Sequence, residues 1–208
     1  MPDGADPSGL PLWPEVKRWA RRFDDGADAL MDRVRSPALD HIAYALGSAA
    51  DHSLMWHVIG AAISARRGST RPSIRLSRAL AFESGLTNIV IKSAFQRVRP
   101  PREAEAGLDA SGAGGARAGA SGAAADPERL PYGMRVPITS SFPSGHATAA
   151  FCAAAILSDE TGSRAWYGLA AAVAASRVYV RMHHATDVVA GAALGYALGR
   201  ALRVALRR

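Results

Sequence analysis

His183 and Asp187 are four residues apart, a spacing that lets a carboxylate hold one imidazole nitrogen while the other is aimed at a substrate. His183 is therefore a candidate nucleophile. Arg177, beside Ser176 on the preceding apolar segment, has the planar fork that grips two phosphate oxygens at once. Upstream, Pro143-Ser144-Gly145-His146 runs straight into an alanine-rich segment, a turn opening into a helix. Unpaired N–H groups at such a helix start, the Ser144 hydroxyl and the bare backbone of Gly145 would cradle an oxyanion, with His146 beside it as proton donor. The same four residues also fit a serine helix cap with an incidental histidine. A third group, Lys92 and Arg99 followed by Pro100-Pro101, brings two cations to one helix end, as does a snorkelling pair at a membrane boundary. His183, His184 and Asp187 have no clear further ligand for zinc, so no metal site is expected.

Helices must carry these groups. Apolar residues clump at 38–50, 52–65, 79–95, 146–158, 165–180 and 188–206, which predicts an all-α, six-helix bundle with each chemical group at a helix end. None of the six is a clean apolar run long enough to be read at once as a membrane span. Threaded alternately across a bilayer with the N-terminus inside, the cations of 17–35, 66–78 and 200–208 fall in the cytoplasm. Arg99 and the turns at Pro143 and His183 then fall outside, and Arg97 and Arg99 are exceptions to the tally. Ahead of the bundle, Trp13, Val16, Trp19, Phe23, Ala27 and Leu30 recur at helical steps, predicting an amphipathic helix over 13–37 that either covers the core or lies in a membrane interface. Residues 1–12 read as a flexible tail with no secretory signal. Within the main domain, 38–208, a stretch at about 103–128 is rich in Ala, Gly and Ser and reads as a flexible insertion, since it cannot bury enough apolar surface to offset its ordering entropy.

A chain of 208 residues supports one domain and one site. Its 49% apolar content excludes disorder throughout. The net charge of +7 favours anionic partners, all the more because only Lys17 and Lys92 among its cations are not arginine. The single cysteine, Cys152, cannot form an internal disulfide and is expected to be a small buried apolar side chain. His41, His52 and His57 are expected to be packing residues, and His184 a pocket or surface residue.

Together, Lys92-x6-Arg99-Pro100, Pro143-Ser144-Gly145-His146 and Ser176-Arg177-x5-His183-x3-Asp187 resemble, in order and spacing, the type 2 phosphatidic acid phosphatase superfamily. That superfamily also includes bacterial class A acid phosphatases and vanadium-dependent haloperoxidases. The resemblance covers about residues 38–206. It implies a bacterial membrane lipid phosphatase with a transmembrane six-helix bundle and a site on the extracytoplasmic side. His183 would attack phosphorus, Asp187 would fix its tautomer, and His146 would protonate the leaving group and then activate water. Lys92, Arg99, Ser144, Gly145 and Arg177 would neutralise the phosphate oxygens. The implied partners are a lipid phosphate and the membrane, with no nucleic acid. No cofactor is implied, and vanadate would act as an inhibitor. Phosphatidate, phosphatidylglycerophosphate, polyprenyl phosphates and pyrophosphates, and, from the Ala/Arg-rich composition, decaprenylphosphoryl-phosphoribose 5-phosphate all fit. The short, charge-interrupted helices leave open a soluble or peripheral acid phosphatase or haloperoxidase, the latter with vanadate as cofactor. A non-catalytic lipid-binding protein of the same fold is the third reading, against which the intact His146, His183 and Asp187 argue.

Overall fold

The computed structural model describes residues 13–91, 97, 99–100 and 140–206, so the tail 1–12, Lys92 and the insertion at 103–128 lie outside the described residues. Helices make up all of its regular structure. They are α1 (Trp13–Arg33), α2 (Pro37–Ala50), α3 (Leu54–Arg67), α4 (Arg71–Gly85), α5 (Gly145–Thr161), α6 (Ala165–Tyr179) and α7 (Ala185–Ala205). A 3-10 turn (Asp51–Ser53) joins α2 to α3, and a π-helical stretch (Leu86–Ile91) continues α4.

The six expected helices follow α1, with two boundaries moved. The amphipathic helix stops at Arg33, because Ser36 caps α2 by accepting the Leu39 N–H at 3.3 Å and Pro37 takes the first helical position. In turn, α4 starts at Arg71, inside what reads as a basic connection. Its Arg75 is no loop cation: the guanidinium reaches Asp159 at 2.6 Å and Glu160 at 2.5 Å on the last turns of α5.

At the centre lies α5, with Ala147, Ala150 and Cys152 to Leu157 buried under α4, α6 and α7. Helix α7 approaches it closely because Gly191, Gly195 and Gly199 present a ridge without side chains. A Cβ on Gly191 would sit 2.6 Å from the Ser144 carbonyl oxygen, and one on Gly199 would sit 2.6 Å from Ala155 Cβ. At Gly195 it would collide with the Thr148 carbonyl. This contact fixes the start of α5 against the start of α7, where the candidate residues are.

The N-terminal helices correct the threading. Tyr179, the last residue of α6, donates to Asp40 on α2 at 2.8 Å, while Asp51, just past the other end of α2, meets His146 in the first turn of α5 at 2.8 Å. Both contacts are at the same end of the bundle, so α2 lies across that end and does not run its length. Helix α1 docks there too. Asp28 and Asp32 hold Arg181 at 2.7 Å each, and Arg35 donates to the Tyr179 carbonyl. The cations of 17–35 are therefore on the side of the candidate site, opposite the ends of α3, α5 and α7, where Arg67 and Arg75 meet Glu160. Neither does the apolar stripe of α1 cover the core: Ala27 and Met31 pack inward, whereas Val16, Trp19, Phe23 and Leu30 are exposed, Trp19 by 63%. His41 and His52 are exposed rather than packed, and His57 meets Ser77 at 3.2 Å.

Among the described residues, α7 is the one helix long and apolar enough by itself to cross a membrane.

Candidate active site

In its last turn α6 delivers Arg177, which is 1% exposed. The chain then reverses at once through Arg181, whose φ of 55° is left-handed, and the Arg177 carbonyl accepts the N–H groups of both Met182 (3.0 Å) and His183 (3.2 Å). A tight turn thus ties the candidate nucleophile to the backbone of the candidate phosphate clamp.

The His183 ring is buried and oriented by the main chain. Its Nδ1 is 2.8 Å from the Ser141 carbonyl oxygen. A carbonyl only accepts, so Nδ1 carries the hydrogen and Nε2 presents its lone pair. That Nε2 is 3.3 Å from Arg99 Nη1, which also donates to the Met182 carbonyl at 2.5 Å. Burial, then the charges of Arg99 and Arg177, hold the imidazole well below its ordinary pKa, so it is neutral near pH 7.

Asp187 is placed differently from the expected triad partner. Its Oδ2 is 3.9 Å from His183 Nδ1, within reach of a charge but too far for a hydrogen bond. The four-residue spacing aligns side chains only within a helix, and α7 starts at Ala185, two residues past His183. The buried carboxylate instead accepts the His184 N–H at 3.0 Å, a capping box on α7. It also accepts Arg97 Nη1 at 2.7 Å and a bond from Ser141, whose carbonyl orients the imidazole. His184 is therefore the helix cap.

Arg97 was not among the candidates. Its guanidinium bridges Asp187, the Thr186 hydroxyl at 2.7 Å and, through Nη2, Asp24 of α1 at 2.7 Å. Asp24, 4% exposed, in turn accepts the Thr186 N–H at 2.8 Å. Helix α1 is thereby strapped to the start of α7. The one sequence signal was that Arg97 stood on the side expected to be poor in cations; nothing marked Asp24.

At the start of α5, His146 Nε2 is 2.8 Å from Asp51 Oδ1, a partner the motifs also missed. Asp51 sits at a break where His52 (φ 50°) and Ser53 (φ 61°) are left-handed without being glycine, a strained conformation that points the turn at α5. Burial pushes the Asp51 carboxyl up, but the His146 bond and the charges of His146 and Arg177 overcome this and leave it below its ordinary range.

Ser144 occupies the N-cap position of α5, yet its hydroxyl makes no cap bond, which removes the simple capping reading. Its N–H is committed to the Asp187 carbonyl at 3.0 Å, so that group is not part of a cradle. Its buried Oγ has no hydrogen-bond partner, and neither do Nε and Nη1 of buried Arg177. Each buried donor left unmade costs about 1–3 kcal/mol. A tetrahedral oxyanion would satisfy them together with the first N–H groups of α5. The Arg177 carbonyl holds the His183 backbone, Arg99 is 3.3 Å from the His183 ring, and Asp51 holds His146 at the same end of the bundle. Gly145, at the first position of α5, carries no Cβ to obstruct it. Among the described residues no three His, Cys, Asp or Glu side chains converge as a metal cage.

The described residues thus place a buried imidazole at His183 beside Arg99, with unmatched donors on Ser144 and Arg177, on an all-helical bundle. Residues 74–208 match the PAP2 superfamily, and the chain belongs to that family. It is 29% identical over 171 residues to decaprenylphosphoryl-5-phosphoribose phosphatase of Mycolicibacterium smegmatis, covering 80% of this chain and 81% of that protein. The fold is similar to that of the transmembrane PAP2-type phosphatidylglycerolphosphate phosphatase of Bacillus subtilis, with a TM-score of 0.60 and 22% identity over 88% of this chain and 84% of the other.

Proposed function

We propose that the protein is a membrane phosphatase that hydrolyses a lipid phosphate ester through a phosphohistidine at His183, without a metal or other cofactor. The observation that carries this is the pairing of the Ser141 carbonyl with His183 Nδ1, which leaves the Nε2 lone pair beside Arg99. That lone pair attacks phosphorus and the P–O ester bond breaks. His146, its ring fixed by Asp51, gives its proton to the departing alkoxide. Water then gives a proton to His146 and attacks phosphorus, breaking the P–N bond and releasing inorganic phosphate. Arg99, Arg177, Ser144, the Gly145 backbone and Lys92 neutralise the equatorial oxygens, where positioning and charge do most of the catalysis. Asp187 holds the start of α7 and stabilises the imidazolium character that develops on His183.

Membrane placement is supported by the outward apolar side chains Ile42, Leu54, Val58, Ile74, Phe82 and Val204 around the bundle, each more than half exposed. Helices α3 to α7 run between the two faces, while α1 and α2 lie along the face that holds the site. We assign that face to the extracytoplasmic side. The short connections at the opposite end are flanked by Arg66, Arg67, Arg71 and Arg164, whereas the cations of α1 are interleaved with Glu15, Asp24, Asp25, Asp28 and Asp32. The mycobacterial relative supports a polyprenyl-linked sugar phosphate, of the decaprenylphosphoryl-phosphoribose 5-phosphate kind, as substrate.

The test is phosphate release from that lipid, phosphatidylglycerophosphate and phosphatidate by detergent-purified wild-type and His183→Ala protein, with and without chelator. The expected result is chelator-resistant release from the polyprenyl lipid that His183→Ala abolishes, with an acid-labile phosphoenzyme trapped only in the wild type. Undiminished activity in His183→Ala would overturn the mechanism.

A further inference from the structure

At the end of the bundle away from His183, α6 and α7 diverge over α5 and leave an open groove of ≈ 770 Å³. Phe151 and Ser158 of α5 form its floor, and Tyr167 of α6 faces Ala192, Ala193 and Tyr196 of α7 across it. Arg164, Arg200 and Arg203 line one end. Arg200 also lies over the Tyr196 ring, 6.0 Å from its centroid.

The nearby acids do not neutralise this end. Asp159, which also lines the groove, is held by Arg75 at 2.6 Å, and Glu160 is shared between Arg75 and Arg67. Arg164, Arg200 and Arg203 have no carboxylate partner among the described residues. Two buried polar atoms here, Ser158 Oγ and Arg203 Nε, make no hydrogen bond, so the end is furnished with unmatched donors. About 11 Å along α7 from Arg200, at Ala192 and Ala193, the walls become apolar. Free phosphate would match only the cationic end; the continuous slot matches a phosphate joined to a hydrocarbon chain.

We propose that this groove binds an anionic phospholipid of the cytoplasmic leaflet, its phosphate on Arg164, Arg200, Arg203 and Ser158 and one chain along Phe151, Ala192 and Ala193. The proposal rests on the membrane placement given above and not on the catalytic mechanism. From His146 to Ser158 is about 18 Å along α5, so this phosphate is separate from the one that reacts. Basic recesses between membrane helices on that side are suited to anionic headgroups.

The test uses full-length protein in a neutral detergent, titrated with phosphatidylglycerol, with phosphatidylcholine of the same chains, and with inorganic phosphate. Binding is read by native mass spectrometry and thermal midpoint. Phosphatidylglycerol is expected to stay bound and raise the midpoint, while the other two do neither. Arg200→Gln/Arg203→Gln should weaken that binding at least tenfold, and Ala193→Phe, which fills the exposed apolar part of the slot, should do the same. Both variants should keep the wild-type rate on a soluble phosphate monoester in lipid-free detergent, which shows that they fold. His183→Ala should bind phosphatidylglycerol as the wild type does, so a failed phosphatase mechanism would leave this result standing. Equal retention of phosphatidylcholine, a response to inorganic phosphate alone, or unchanged phosphatidylglycerol affinity in both groove variants would overturn the proposal.

Discussion

Asp24 of α1 and Arg97, far apart in sequence, are 2.7 Å apart in the fold, and the other guanidinium nitrogen of Arg97 is the same distance from Asp187. An N-terminal helix thus sets the charge environment of Asp187, the carboxylate of the candidate site. Replacing Asp24 by Asn removes a buried charge from Arg97 and weakens the hold on Thr186, which should cost about 1.5–3 kcal/mol for a hydrogen bond to a charged group. The expected outcome is a lower thermal midpoint together with a lower kcat. Asp25→Asn, on the exposed face of the same helix, should change neither.

The pH profile should carry the signature of His183. Its pKa lies below the ordinary 6.5 in the folded protein, and in the proposed mechanism the neutral form is the one that attacks. The acid limb of kcat/KM should therefore fall below pH 6.5, and the rate on an alkyl phosphate should fall again at higher pH as His146, the proposed proton donor, is deprotonated. Arg99→Gln removes one of the charges responsible and should move that limb upward. The native state resists this proton more than the unfolded chain does, so the unfolded state binds more protons as pH drops through 6.5. Stability should decrease across that interval and stop changing once the folded value is passed, which denaturant titrations at several pH values would measure.

Asp51→Asn should act mainly on leaving-group departure. Without the carboxylate the His146 ring loses its anchor, and kcat on an alkyl phosphate should drop by roughly 10- to 100-fold, a part of what general acid catalysis is worth. On p-nitrophenyl phosphate, whose leaving group departs without protonation, the loss should be several times smaller. Equal losses on both substrates would argue against the proton-donor role.

Packing between α5 and α7 should be intolerant at Gly195. An added methyl there meets the Thr148 backbone, which cannot move aside cheaply, and Gly195→Ala should destabilise by about 1–3 kcal/mol or prevent folding. Gly168→Ala, with nothing within 4 Å of the new methyl, should be neutral or stabilising by up to about 1 kcal/mol through helix propensity. Thermal unfolding of the two variants compares them directly.

The candidate site residues were legible because each belongs to a short motif at a helix end: Ser144, Gly145 and His146 at the start of α5, Arg177 at the end of α6, His183 and Asp187 about the start of α7. Their supports were not. Asp24, Asp51 and Arg97 reach the site across long sequence separations, and no local period marks such a contact. Charge misled the reading once, and apolar content once. Arg71 to Arg78 read as a connection because a dense run of cations resembles a loop, although Arg75 is neutralised by acids on another helix. The segment 38–50 has the apolar content of a spanning helix, but its two ends both meet the same face of the bundle, a tertiary fact. The stripe on α1 was visible; that it faces away from the core follows only from Asp24 and Asp28 taking the inward positions.

The acceptor that aims His183 belongs to the main chain. No substitution at position 141 deletes a carbonyl, so the imidazole keeps its tautomer through any change that preserves the path of the turn before α5. Heritable variation can therefore retune the surrounding charges, and with them the reactivity of the ring, without costing the protein its aim.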